Sequence, residues 1–135
     1  MGASGATGSA GPSGVVGVVV RAFVFTPLPL SMTFTKKLAN TELLITVSGT
    51  GFENTGGVTG GLDEDVSGPG FDQSQGPITA LFFNNAGEHM TLPTAQFVVP
   101  GAPAGNDTLT VSGDALNTDT NDQYTMSVLE FMPAG

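Results

Sequence analysis

The feature that most restricts the fold of this chain is the regular alternation of short strand-like segments with turn-forming residues. From residue 21 onward, no window of 11 residues has apolar side chains at helical spacing. Segments rich in β-branched and aromatic residues instead alternate with segments rich in Gly, Pro, Asn and Asp, which favour turns. Seven or eight short strands in about 115 residues predict an all-β fold, either a β-sandwich or a jelly roll.

Most of these strands are marked by alternation of apolar and polar residues. Residues 42–48, for example, place Leu43, Ile45 and Val47 on one face. Residues 53–75 show no strand pattern, so a long loop is predicted there, which either carries function or contacts another subunit. The other predicted strands cover residues 21–25, 31–35, 78–83, 89–92, 96–99, 108–112 and 124–131.

The beginning of the chain has a different pattern, with Gly at every third position. Only Gly fits where three polyproline-type chains meet at a common axis. The pattern therefore predicts a short collagen-like (G-X-Y) triple-helical arm at residues 1–20, followed by a β-sandwich head domain at residues 21–135. The glycines of the repeat are Gly2, Gly5, Gly8, Gly11, Gly14 and Gly17.

The arm is poor in proline, and this determines what it needs in order to form. Pro12 is the only proline among the triplets, whereas collagen is stiffened by many. The three arms would therefore depend on a trimerising head domain, which raises their local concentration. A flexible Gly/Ser/Ala linker is the alternative interpretation of the same residues.

A run of valines ends the arm and is apolar on every side. In a single chain these side chains would form an exposed patch, whereas three chains could pack them against one another. The valines are therefore candidates for closing a homotrimer at the junction of arm and head. They are Val15, Val16, Val18, Val19 and Val20.

Composition and charge argue against several classes of function. The chain has 3 basic and 12 acidic residues, giving a net charge of −9, which disfavours nucleic acid and anionic membranes as partners. No apolar run reaches the roughly 20 residues that span a bilayer. Cysteine is absent, and His89 beside Glu88 lies on a predicted strand, where neighbouring side chains point to opposite faces. We therefore predict a non-enzymatic protein without a cofactor.

Two groups of acidic and amide side chains nevertheless offer oxygen ligands to a cation. Calcium takes six to eight oxygens from flexible loops, so each group is a calcium candidate. The spacing is not that of an EF-hand, and solvated loops whose Asn and Asp cap turns are the alternative. The first group is Asp63, Glu64, Asp65 and Asp72, and the second is Asp114, Asn117, Asp119, Asn121 and Asp122.

The second half of the chain carries a series of turns and strand starts that resembles a known group of proteins. The segments are residues 81–85 (LFFNN), His89, 98–111 (VVPGAPAGNDTLTV), 119–122 (DTND) and 126–130 (MSVLE). In these the chain resembles collagen-repeat-containing virion proteins of actinobacterial bacteriophages, of the minor tail or tail-fibre kind. The combination of arm and head also resembles complement-type and tumour-necrosis-factor-like jelly-roll heads.

The chain departs from the phage pattern at two places. Asn85 stands where an acidic residue is expected, and Asn106 and Asp107 follow the Ala-Gly turn where a His is common. These differences concern a shared ligand and not the fold.

The resemblance implies a trimeric structural component of the phage particle surface. It would be a tail-tip or fibre protein acting in host-surface attachment or virion assembly, and its partners would be further copies, other tail or capsid proteins and a host-surface glycan. One alternative is a capsid-decoration or head-fibre protein that docks at a three-fold site. Another is a monomeric carbohydrate-binding β-sandwich on a flexible leader, against which the absence of Trp and the single Tyr124 count.

Overall fold

The computed structural model describes residues 14–24, 27–117 and 119–133, and these residues form nine β-strands. The strands are Val15–Val24 (β1), Leu30–Lys36 (β2), Glu42–Glu53 (β3), Val58–Gly68 (β4), Phe71–Phe83 (β5), Glu88–Thr91 (β6), Ala95–Val99 (β7), Gly105–Asp114 (β8) and Gln123–Phe131 (β9).

The strands form two antiparallel sheets. The first has the order β1-β9-β3, and the outer edge of the long strand β3 is shared by two short strands. Residues 43–47 of β3 pair with β7, and residues 50–53 pair with β6. The second sheet has the order β2-β8-β4-β5. The prediction of an all-β fold is confirmed, and the two sheets are consistent with a β-sandwich.

The core of the sandwich follows from the two-residue period of its strands. In β2, Leu30, Met32 and Phe34 are buried, and the residues between them face solvent. Strands of both sheets contribute to one continuous apolar cluster, in which each fully buried Val, Leu or Phe contributes roughly 1.5–3 kcal/mol. The other large members of this cluster are Leu43, Ile45, Val47, Leu62, Val66, Phe83, Leu92, Val99, Leu109, Val111, Tyr124, Met126 and Val128.

The solvent-facing side of the second sheet is lined by hydroxyl groups. Side chains of β2 and β8 that lie directly opposite each other form hydrogen bonds across the strands, as polar cross-strand pairs commonly do. This ladder accounts for part of the high threonine content of the chain. The bonded pairs are Ser31 with Thr110 at 2.9 Å, Thr33 with Thr108 at 3.2 Å, and Thr35 with Asn106 at 3.0 Å.

The segment predicted to end a triple helix is part of the sandwich instead. Residues 15–20 belong to β1, in which Gly17 pairs with Glu130 of β9. The predicted boundary between arm and head, at residues 20 and 21, therefore falls inside a strand and needs correction. Valine favours strands, and β9 offers an open edge on which this segment can pair. The carbonyl of Gly14 accepts a hydrogen bond from the N–H of Met132 at 2.9 Å, which continues the pairing.

The remaining predicted glycines of the triple helix, Gly2, Gly5, Gly8 and Gly11, lie outside the described residues.

The prediction of a long loop over residues 53–75 is wrong. Most of this segment forms β4 and the first part of β5, which pair with each other across a turn at Pro69 and Gly70. Gly70 has a φ of 69°, a conformation that glycine adopts without strain. The predicted turns near residues 68–70 and 84–87 are confirmed.

Candidate functional site

Strand β1 forms an apolar edge of the first sheet. It pairs with β9 on one side, and no described residue pairs with its other side. The exposed fractions of Val15, Val18 and Val20 are 63%, 56% and 61%, and that of Val19 is 38%. A long apolar strand with unpaired backbone groups is a template for pairing with another chain. We call the segment Val15 to Val20 the valine edge.

A small cavity of about 80 Å³ lies beneath the valine edge, between the two sheets. Lys37 lines this cavity, and its Nζ donates a hydrogen bond to the carbonyl of Val16 at 3.3 Å. A Cβ atom on Gly17 would lie 3.6 Å from Lys37, which is an ordinary contact. Gly17 is therefore not required by the packing of this strand.

A second group of polar side chains gathers at one end of the first sheet. His89, on β6, lies between two carboxylates that precede β9 in the chain. Its Nε2 is 3.4 Å from Oδ2 of Asp119, and its Nδ1 is 3.6 Å from Oδ1 of Asp122. The ring of His89 also packs on the ring of Phe52, with centroids 4.5 Å apart. We call His89, Asp119 and Asp122 the histidine–aspartate cluster.

The two carboxylates of this cluster are held by neighbouring groups. Thr50 donates a hydrogen bond to Oδ1 of Asp122 at 2.9 Å, and the N–H of Asn121 donates one to Oδ1 of Asp119 at 2.8 Å. Asp122 is 1% exposed, and its Oδ2 has no hydrogen-bond partner among the described residues. Burial, and then the negative charges of Asp122 and Asp119, raise the pKa of Tyr124. The two carboxylates of the cluster therefore place negative charge beside Tyr124.

A third group consists of carboxylates on the outer face of the second sheet. Asp65 and Asp72 lie close enough to share a proton, and this hydrogen bond, with burial and charge repulsion, raises the pKa of Asp65 to about 6. Burial and the nearby Asp114 raise the pKa of Asp63. These are two pairs of like charges, which favour protonation of one member of each pair.

The second predicted calcium group is not brought together in one place. Asp114 faces Asp63 on the second sheet, whereas Asp119 and Asp122 join His89 on the first. Asn117 accepts a hydrogen bond from the N–H of Asn54 through Oδ1, and Asn121 lines the open side of the histidine–aspartate cluster. These residues are therefore divided between two places on the molecule, and calcium binding by them stays a prediction.

Of the first predicted calcium group, Asp63, Asp65 and Asp72 lie on the outer face, whereas Glu64 is 2% exposed and projects inward with Leu62 and Val66. No sequence signal distinguished Glu64 from its acidic neighbours except its place in the two-residue period.

The comparisons with known proteins do not assign a family. No protein-family model matches the chain, and no curated protein matches it. Within the described ranges, no helix is long and apolar enough to cross a lipid bilayer.

Proposed function

We propose that this chain is a non-enzymatic structural component of a bacteriophage particle, a homotrimeric tail-tip or fibre protein that acts in host-surface attachment or virion assembly. The observation that carries the proposal is the valine edge, an exposed apolar strand directly preceded by Gly-X-Y triplets. Its partners would be two further copies of the chain, neighbouring virion proteins and a glycan on the host surface. Its location would be the surface of the phage particle.

A further copy of the chain is the partner that best fits the valine edge. The chain carries a net charge of −9, so two copies repel each other over most of their surfaces. The segment from Val15 to Val20 contains no charged residue, and apolar burial there would favour association. Because the triplets run into β1 without a spacer, any association of three arms would hold three valine edges close together.

The order of the strands also supports the proposal. If β6 and β7 are counted as one position on the edge of β3, the two sheets have the strand order of an eight-stranded jelly roll. Viral capsid proteins and lectins both use this architecture. The lectin-like alternative, a monomeric carbohydrate-binding sandwich, is less favoured because Tyr124 is 3% exposed and cannot stack on a sugar.

The association can be tested by light scattering on the full chain. We expect a mass three times that of the 13.6 kDa chain. The double variant Val18→Thr, Val20→Thr keeps the branched shape that favours a strand but places hydroxyl groups in the interface. We expect it to weaken association at least tenfold, which corresponds to about 1.4 kcal/mol.

A matched control is available on the opposite edge of the same sheet. Val98 of β7 is 47% exposed, and Val98→Thr makes the same chemical change away from the valine edge. It should leave the mass unchanged. A wild-type protein that is monomeric at all concentrations would contradict the trimer, and equal weakening by Val98→Thr would contradict the valine edge as its interface.

The contribution of the arm is tested separately by replacing glycines. Gly8→Ala should weaken the trimer if the triplets form a triple helix, because any side chain at the axis disrupts it. Gly17→Ala should leave the trimer intact, since its Cβ meets only ordinary contacts in β1. If Gly8→Ala has no effect, the triplets are a linker.

The position in the particle is tested by immunogold labelling of phage particles that encode this chain. Labelling of the tail is the expected result. Labelling of the capsid would instead favour the decoration or head-fibre alternative, and the absence of label would contradict the proposal as a whole.

A further inference from the structure

The histidine–aspartate cluster brings together three potential metal ligands from separate parts of the chain. One ligand atom each from His89, Asp119 and Asp122 lie within 4.8 Å of one another. Around a tetrahedral ion with bonds of about 2.0–2.1 Å, ligand atoms are roughly 3.3 Å apart. Inward movements of about 1 Å would bring the three atoms to this spacing, and the half-exposed ring of His89 has room to move.

An independent feature of Asp122 also points to a cation. The side chain is almost completely buried, and its Oδ2 has no hydrogen-bond partner within the part of the chain that the structure describes. A buried charged oxygen without a partner is unfavourable unless a positive group compensates it. The chain has three basic residues of the Lys and Arg type, and among the described residues only His89 lies within ion-pair distance of either aspartate.

The carboxylates are already oriented by a second layer of hydrogen bonds. Thr50 donates to Asp122 and itself accepts a hydrogen bond from the N–H of Gln123 at 3.1 Å. The N–H of Asn121 fixes one oxygen of Asp119, which leaves the other directed at His89. Supporting bonds of this type strengthen metal binding because they reduce the reorganisation that it requires.

We propose that His89, Asp119 and Asp122 bind a divalent transition-metal ion of the zinc type. One imidazole and two carboxylates form a ligand set that suits zinc and its neighbours, whereas calcium requires six to eight oxygens. The site opens to an adjoining cavity of about 280 Å³, lined by Thr50, Met90, Thr91 and Asn121, which leaves space for a water ligand. The ion would join β6 to the segment that leads into β9.

The proposal is tested by calorimetric titration of the untagged full chain with zinc chloride. We expect one zinc ion per chain and at least tenfold weaker binding by His89→Gln and by Asp122→Asn. Asp114→Asn removes an acidic residue at the end of β8 that lies outside the cluster, and it should bind zinc like the wild type. Because His89 is the only histidine of the chain, a change in its imidazole NMR signals when zinc is added reports directly on this site.

Several outcomes would overturn the proposal. The first is the absence of zinc binding by the wild type, and the second is an affinity of His89→Gln for zinc equal to that of the wild type. The others are imidazole NMR signals that zinc leaves unchanged, and displacement of zinc by an equal concentration of calcium. The His89 side chain is 43% exposed, so His89→Gln should fold normally even if Asp122→Asn does not. Thermal melting of both variants without metal separates a loss of ligand from a loss of fold.

Discussion

Replacing Glu130 by Ala is expected to destabilise the protein by about 3–5 kcal/mol, the range observed when one member of a buried charged network is removed. Glu130 is 4% exposed and accepts three hydrogen bonds. Two come from the N–H groups of Lys37 and Leu38, at 2.8 and 2.9 Å, and the third comes from Thr41 at 2.6 Å. Alanine would leave the N–H groups of Lys37 and Leu38 without their partner, which is the main cost, whereas the Thr41 hydroxyl can still donate to the carbonyl of Leu38 at 2.9 Å.

The network around Glu130 also contains a buried cation. Lys36 is 1% exposed, and its Nζ donates to the carbonyl of Leu38. Asp107 is equally buried, and its two carboxylate oxygens have no hydrogen-bond partner among the described residues. Burial raises the pKa of Asp107, the charge of Lys36 opposes this, and the charge of Glu130 adds to it. Removing Glu130 would therefore leave Lys36 with less compensating negative charge.

The variant Glu130→Gln separates hydrogen bonding from size. Its side-chain carbonyl can replace one carboxylate oxygen, but its NH₂ group would face a backbone N–H, so we expect a loss of about 1–3 kcal/mol. Glu88→Gln is the control, because among the described residues Glu88 accepts a single hydrogen bond, of 3.4 Å, from the N–H of Asn85. It should change the free energy of unfolding by less than about 0.5 kcal/mol. Urea denaturation of the variants provides the measurement.

The pH dependence gives a second test of Glu130. Burial alone would raise its pKa, but the hydrogen bonds from Lys37, Thr41 and Leu38, together with the charge of Lys36, lower it overall. A carboxyl whose pKa is lowered on folding stabilises the folded state at pH values above its unfolded pKa, here 4.5. This contribution is lost as the pH falls through the folded pKa. The free energies of unfolding of the wild type and Glu130→Gln should therefore become more similar at acidic pH. A constant difference would contradict the role of the charge.

Regular alternation of apolar and polar residues was sufficient to predict most strands of this fold. Strand β3 was predicted at residues 42–48 because Leu43, Ile45 and Val47 are apolar, and all three are buried. Strand β4 was missed because the inward position between Leu62 and Val66 is occupied by Glu64, which interrupts the apolar series. A charged residue in the core is uncommon, so local pattern alone favours a loop at such a position.

The histidine–aspartate cluster could not have been predicted from sequence spacing. Asp122 and Thr50 are brought together by the pairing of β9 with β3, and His89 arrives through the pairing of β6 with the same strand. His89 is 30 positions from Asp119 in the chain and Thr50 is 72 positions from Asp122, so these contacts depend on which strands are neighbours. The valine edge was different, because its apolar character is local and is evident from the sequence, whereas its place in a strand was not predicted.

Replacing Glu64 by Gln is expected to stabilise the protein above pH 7 and to have little effect near pH 4.5. Glu64 is 2% exposed, and neither of its carboxylate oxygens has a well-formed hydrogen bond among the described residues. Burial raises its pKa from 4.5 to about 7, and the adjacent charge of Asp65 adds to the shift, while the side chain of Gln73 opposes it. The ionised form is therefore much less favourable in the folded chain than in the unfolded one.

The direction of the effect follows from proton linkage. A carboxyl whose pKa is higher in the folded than in the unfolded chain makes its full contribution to stability at pH values below its unfolded pKa. This contribution is lost as the pH rises toward the folded pKa. Between pH 4.5 and pH 7, ionisation of Glu64 should cost the wild type about 3 kcal/mol, which Glu64→Gln avoids. Urea denaturation at pH 5 and pH 8.5 measures the difference between the two proteins.

The control Glu42→Gln removes one negative charge from a half-buried position of the opposite sheet. It shows how much of any increase in stability comes only from making the net charge of −9 less negative. It should change the free energy of unfolding by less than about 0.5 kcal/mol. Equal stabilisation by Glu42→Gln would assign the effect to general repulsion. Because burial also raises the pKa of Glu53, Asp63 and Asp107, the wild type itself should be more stable at pH 5 than at pH 8.5.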